Sequence, residues 1–165
     1  MTTRPSLQFH EATENDIGLI LDFIRELAEY ERSEDRVIAT EETLRKSLFG
    51  PRPFAHTFIV YQDGDPVAFA IYFFSFSSFY GLPNLYLEDI FVRPAFRGTG
   101  LGKRVFAHLS RIAIEKGCGR MEWSVLNWNE PAIGFYEQLG AEPVRDWTVF
   151  HLGRDQMEEL AKSSA

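Results

Sequence analysis

Leu87-Glu88-Asp89-Ile90-Phe91-Val92-Arg93-Pro94-Ala95-Phe96-Arg97-Gly98-Thr99-Gly100-Leu101-Gly102-Lys103 decides how this chain is read. Leu87 to Val92 is apolar apart from two carboxylates and is bounded by a proline, which predicts a strand. Beyond Lys103, the residues Val105, Phe106, Leu109, Ile112 and Ala113 recur at helical spacing, and Gly117 supplies a stop. Between strand and helix, Arg97 to Gly102 has the pattern R-x-x-G-x-G. A helix opened by glycines offers an anion its unpaired backbone N–H groups and the positive end of its dipole. Glycine is needed because a side chain would hold a phosphate away from those amides. The stretch therefore predicts a pyrophosphate cradle made by Gly98, Thr99, Gly100, Leu101, Gly102 and Lys103, with Arg97 beside it.

Two common phosphate loops do not fit. A Walker loop ending at Gly102-Lys103 would need glycine where Arg97 stands and Ser or Thr where Arg104 stands. A dinucleotide fingerprint beginning at Gly98 and Gly100 would need a third glycine where Lys103 stands. The pattern R-x-x-G-x-G after a strand resembles instead the GNAT acetyltransferases, which hold the pyrophosphate of acetyl-CoA. Downstream, Trp128-Asn129-Glu130-Pro131, then Phe135-Tyr136, then Leu139-Gly140-Ala141 resemble the closing motif of those enzymes. Together with Tyr86-Leu87-Glu88-Asp89 and Glu26-Leu27-Ala28-Glu29-Tyr30-Glu31, they resemble its diamine and polyamine branch. That branch includes the spermidine/spermine and thialysine acetyltransferases. The resemblance runs from about Leu7 to Leu152.

Composition agrees with such an enzyme and excludes other classes. A chain of 165 residues suits one domain, here residues 1–165, able to bury about two-thirds of its unfolded surface. A net charge of −7 argues against non-specific nucleic-acid binding and suits a small cationic substrate. Trp123, Trp128 and the many phenylalanines read as core or cleft wall, because nothing basic interleaves them. The one cysteine, Cys118, allows neither an internal disulfide nor a cysteine metal cluster, and His10, His56, His108 and His151 lack ligand spacing, so no metal is expected. No apolar run reaches a membrane span and no signal h-region opens the chain, so a reducing cytoplasm is expected.

In chain order, Leu7 to His10 predicts a first strand. Thr13-Glu14-Asn15-Asp16 starts a helix that ends near Tyr30-Glu31-Arg32, and Thr40 caps a second that stops before Gly50. Thr57 to Gln62 and Val67 to about Phe76 predict a hairpin turned at Asp63-Gly64. Ser75 to Asn84 reads as a loop and Leu85 to Val92 as the central strand. Met121 to Val125 predicts a strand, Pro131 to Leu139 a helix, Thr148 to Leu152 a last strand and Arg154 to Ala161 a terminal helix. The fold class is α/β. The resemblance makes it the GNAT fold, a mixed, mostly antiparallel central sheet with helices on both faces.

The resemblance implies an acetyl-CoA-dependent N-acetyltransferase acting by direct attack in a ternary complex on a small diamine, polyamine or thialysine-like amino acid. A primary amine is mostly ammonium at neutral pH and must lose a proton before it can attack. Neighbours on a strand point to opposite faces, so only one of Glu88 and Asp89 can line a given cleft. By resemblance that one is Glu88, the base, acting through ordered water, and Asp89 is structural. Tyr136 lies where the family has its general acid. Ile90, Phe91 and Val92 would pair with the pantetheine arm as a pseudo-strand, and Asn129 would contact the cofactor through its side chain. Tyr30, Glu31 and Glu88 would bind the acceptor, with Glu122, Trp123 and Ser124 on the strand beside it. The branch forms homodimers, so a homodimer is expected. Ser75-Phe76-Ser77-Ser78-Phe79 replaces the acidic loop of animal polyamine enzymes and resembles thialysine-type relatives. Glu142 to Trp147, which in the family borders the acceptor site and the dimer interface, is shorter than in those relatives. Two alternatives stand beside this reading: acetylation of protein N-termini or lysines, and a non-catalytic acyl-CoA-binding module. A binding module would need neither Glu88 nor Tyr136.

Overall fold

The computed structural model describes residues 6–163. The chain divides after Asn129 into two compact units. The first holds one five-stranded sheet: β1 (Leu7–Glu11), β2 (His56–Gln62), β3 (Asp65–Ser77), β4 (Leu82–Val92) and β5 (Met121–Trp123). The strands lie in the order β1-β2-β3-β4-β5, antiparallel except for the parallel pair β4–β5. This is the mixed sheet expected from the sequence. Asp63 and Gly64 join β2 to β3, both at positive φ (53° and 95°), the conformation a two-residue hairpin favours.

Helices cover both faces. α1 (Ile17–Tyr30) and α2 (Glu41–Phe49) lie on one face, where Ile20, Phe23 and Leu48 pack against Ile59, Phe69, Ile71 and Phe91. The rings of Phe23 and Phe69 stack with centroids 5.0 Å apart. On the other face lies α3 (Leu101–Glu115), with Phe106 against Trp123 and His108 between Phe9 and Phe58. Asp16 precedes α1, and its carboxylate accepts from the Thr13 N–H and hydroxyl, as the capping motif predicts.

Three sequence expectations change. The loop expected over Ser75 to Asn84 is mostly hairpin, with Ser75 opposite Asn84, Phe76 opposite Pro83 and Ser77 opposite Leu82. Pro83 is tolerated in β4 because its carbonyl accepts from Gly119 N–H, so its backbone polar side faces away from β3 and no ladder bond is lost. β5 stops at Trp123 rather than Val125. In the second unit, α4 (Glu130–Gln138) and α5 (Arg154–Ser163) form as expected, but the strand expected over Thr148 to Leu152 does not. Val149, Phe150 and Leu152 have strand propensity, yet they are exposed (75%, 90% and 55%). Propensity alone does not make a strand; a bonded neighbour does.

Burial, reinforced by the charge of Arg111, holds His108 below the usual imidazole pKa, against an opposing pull from Glu115. A pKa depressed on folding leaves its stabilisation intact above the unfolded value, about 6.5, and loses it as pH falls through the lower folded value. The drop in melting temperature between pH 7.5 and pH 5 is expected to be smaller in His108→Leu than in the parent chain. An equal drop in both would show that His108 does not set the acid sensitivity.

Candidate active site

The site is built along β4. From Leu82 to Leu87 this strand runs beside β3 in simple register, with Tyr72 opposite Leu87. The next pair is Ile71 with Asp89, so Glu88 is an extra residue, a β-bulge. Ile71 and Tyr72 are neighbours on β3 and face opposite ways. Their partners Asp89 and Leu87 therefore face opposite ways too, although two residues apart. The alternation behind the expectation for Glu88 and Asp89 is broken at this point. Asp89 shares the face of Ile71 and Phe91, under α1, and Glu88 stands exposed at the bulge.

Three carboxylates meet there. Burial, then the charges of Glu88 and Glu31, push the Asp89 carboxyl up to about 6. Burial also raises Glu31, at the C-terminal end of α1. Among the described residues, none of the three forms a hydrogen bond or ion pair through its carboxylate. The inward turn of Asp89 could not be read from the sequence, because the bulge that causes it depends on the count of residues in β3.

β5 bonds only Leu85 to Leu87 of β4, through Met121 to Trp123. Past that point the β5-side edge of β4 is open among the described residues. Arg93 N–H donates to Val67 across the β3 ladder, so the preceding Val92 turns its backbone groups to the open edge. Ile90 turns the same way, while Phe91 faces β3. The Val92 carbonyl is already taken by Arg97 Nε at 2.8 Å. The Arg97 guanidinium lies 4.7 Å from the centre of the Tyr30 ring and 5.2 Å from that of Phe91. Arg97 therefore lies back over β4, beside the expected cradle.

The turn from β4 to α3 is fixed at its start by Arg93. Its guanidinium bonds both oxygens of Glu26 and the Pro66 carbonyl, and it covers the Phe23 ring at 4.5 Å. This clamp, absent from the sequence reading, ties the end of β4 to α1. Gly98 and Gly100 take positive φ (74° and 83°), which an ordinary side chain resists. A Cβ built on either meets nothing within 4 Å, so the space beside the turn is open there. No side chain caps α3, and its first internal bond is Arg104 N–H to the Gly100 carbonyl. The amides of Leu101, Gly102 and Lys103 thus precede the helical ladder, with Lys103 and Arg104 exposed in the first turn. These donors and this charge fit a pyrophosphate.

Tyr30 and Asn129 lie 99 residues apart, and the Tyr30 hydroxyl donates to Asn129 Oδ1 at 3.0 Å. Asn129 is buried, and Trp128 packs near the Tyr30 ring. Just past the end of β5, Ser124 Oγ and the Tyr86 hydroxyl are 3.0 Å apart. Trp123 points to the opposite face, against Phe106 of α3. The Glu122 carboxylate is engaged by Arg120 at 2.9 Å and by Asn84 Nδ2 at 3.3 Å, which occupies it within the sheet. Tyr136 belongs to the second unit, half-buried on α4 beside Phe135 with centroids 5.6 Å apart.

Comparisons with known proteins show the family of the chain. The family model described as Acetyltransferase (GNAT) family matches residues 21–141. A thialysine N-epsilon-acetyltransferase of Bos taurus is 40% identical over 94% of this chain and 97% of that protein. A spermidine/spermine N(1)-acetyltransferase-like protein 1 of Homo sapiens is 34% identical over 96% of this chain, a match that spans 24% of that longer protein. The solved aminoglycoside N-acetyltransferase AAC(6')-Iy in complex with CoA has the same fold, with a TM-score of 0.72 at 20% identity, over 93% of this chain and 99% of that one. A strand carrying carboxylates, an open edge and a glycine-opened helix occur here in the order of one enzyme family, and the chain belongs to the GNAT acetyltransferases.

Proposed function

We propose that this protein transfers acetyl from acetyl-CoA to a primary amine of a small diamine, polyamine or thialysine-like amino acid, by direct attack in a ternary complex. One observation carries the reading. Glu31, Glu88 and Asp89 gather without a cation of their own, on and beside the strand that leads into the glycine turn. Like charges crowded together are unfavourable alone and favourable around an ammonium.

When bound, acetyl-CoA supplies an activated acetyl group and a thiolate leaving group. The chain does the rest. Ile90 and the Val92 N–H offer the pantetheine arm a strand edge. The amides from Gly98 to Lys103 hold the pyrophosphate, and Asn129, braced by Tyr30, contacts the cofactor. Glu31 anchors the distal amine. Glu88 draws the proton from the reacting amine through water, and Tyr136 donates toward the departing sulfur. Trp123 and Ser124 border the acceptor, and Glu122 acts there through Arg120 and Asn84. The protein works as a cytoplasmic homodimer. None of its described helices is long and apolar enough to cross a membrane.

The test is an amine panel. Ser77 and Ser78 stand where a carboxylate would serve the further ammonium groups of a long polyamine. A missing charge-assisted contact costs about 1.5–3 kcal/mol, or roughly tenfold and more in preference. A short diamine or thialysine is therefore expected to show a higher kcat/KM than spermine. Glu31→Gln is expected to raise KM for the diamine more than it lowers kcat, since it removes binding rather than chemistry. A preference for spermine, or turnover only on peptide N-termini, would refute this account of the acceptor.

A further inference from the structure

We propose that the proton Glu88 draws off the acceptor through water comes to rest on Asp89, the carboxylate next to it on the strand. The inference rests on the acetyl-transfer reading above and assigns a role to a residue that reading leaves idle. Its basis is the bulge. One extra residue in β4 places Asp89 on the α1 face, opposite Ile71, instead of on the face of Leu87. There it is half-buried and accepts no hydrogen bond among the described residues. The charged groups that act on it are Glu88 from its own strand and Glu31 from the end of α1, both negative.

A partly buried carboxylate with two like neighbours and no donor is a poor structural element. Where a packing role was all that mattered, an apolar residue at this register would serve as well. A proton acceptor, in contrast, works best when its affinity approaches the working pH. Burial and the two neighbouring charges have moved Asp89 in that direction, to about 6. The step balances. An N–H bond of the ammonium breaks and its proton passes through water to the Asp89 carboxylate, which becomes neutral. The freed lone pair forms the C–N bond as the C–S bond breaks. The nitrogen's second proton leaves with the thiolate, and Asp89 later returns its proton to solvent.

Asp89→Asn keeps the shape and removes the proton site. With acetyl-CoA and a short diamine, the parent chain is expected to show an acid limb in kcat/KM near pH 6. Asp89→Asn should abolish that limb and lower kcat/KM by about 10²-fold. Glu88→Gln should keep the limb but move it to lower pH, because one of the charges that raise Asp89 is gone. A second substrate separates chemistry from structure. With a weakly basic amine that is already neutral at the assay pH, Asp89→Asn should lose less than about tenfold, because no proton has to be removed. The melting temperature of Asp89→Asn should exceed the parent's at pH 7.5, and this advantage should shrink as pH falls through about 6 and vanish only below the unfolded value of about 3.9. A carboxyl raised on folding costs stability in full above its folded pKa and recovers it as pH falls from that value to the unfolded one. An unchanged acid limb in Asp89→Asn, or the same loss with both amines, would overturn the inference while leaving acetyl transfer intact. A parent chain that acetylates no amine would instead fail the underlying reading, and this inference with it.

Discussion

Gly100→Trp is expected to abolish acetyl-CoA binding in a protein that still folds. Gly100 sits at φ 83°, directly before α3, and a Cβ there would meet no atom within 4 Å. The Cβ of the new side chain therefore clashes with nothing, and the indole it carries takes up the open space beside the turn. The left-handed backbone costs an ordinary residue about 1–2 kcal/mol, less than a domain's usual margin of roughly 5–15 kcal/mol. Bound acetyl-CoA at a hundred times its Kd should stabilise the parent by about 2.7 kcal/mol. For a chain of this size that raises the melting temperature by about 5–10 °C. Gly100→Trp should show no rise. Gly117→Trp is the control. Gly117 lies just past the far end of α3 at φ 70°, also with nothing within 4 Å of its Cβ. It carries the same backbone strain and should keep the full rise. A normal rise in folded Gly100→Trp would remove the phosphate from this turn.

That turn was legible in the sequence because its geometry is a single-residue property. A positive φ asks for glycine wherever it occurs, and Gly98 and Gly100 announce it without reference to the rest of the chain. The hairpin at Asp63-Gly64 and the apolar stripe of α1 were legible for the same reason: each is written in consecutive residues. The bulge at Glu88 was not. It exists because β4 has one residue more than β3 between two ladder pairs, and no single strand records that count. Asp89 consequently read as a structural neighbour of Glu88. Distance in sequence hid the rest. The clamp from Arg93 to Glu26 spans 67 residues and the bond from Tyr30 to Asn129 spans 99. The resemblance named Tyr30 and Asn129 separately, but only the fold joins them. Thr148 to Leu152 failed in the opposite direction, since its residues favour a strand that no neighbour completes.

Tyr136→Phe is expected to lower kcat by about 10²-fold or more, the usual scale for an acid–base group, with acetyl-CoA binding retained. Tyr136 lies on α4, half-buried, its ring beside Phe135. The change keeps that ring contact and removes only the hydroxyl. Phenol and thiol have ordinary pKa values of about 10 and 8.5, so full proton transfer to the leaving sulfur is somewhat uphill. Much of the effect should then come from a hydrogen bond that strengthens as charge grows on sulfur, which is stabilisation of the transition state and not of the bound donor. Two readings follow from this. The thermal shift with acetyl-CoA should match that of the parent, because the hydroxyl contributes little before the C–S bond begins to break. An acetyl donor with a more acidic leaving thiol should recover part of the lost rate, since it needs less help at sulfur. A near-normal kcat in Tyr136→Phe would make the hydroxyl structural. An equal loss with both donors would place its action away from the leaving group.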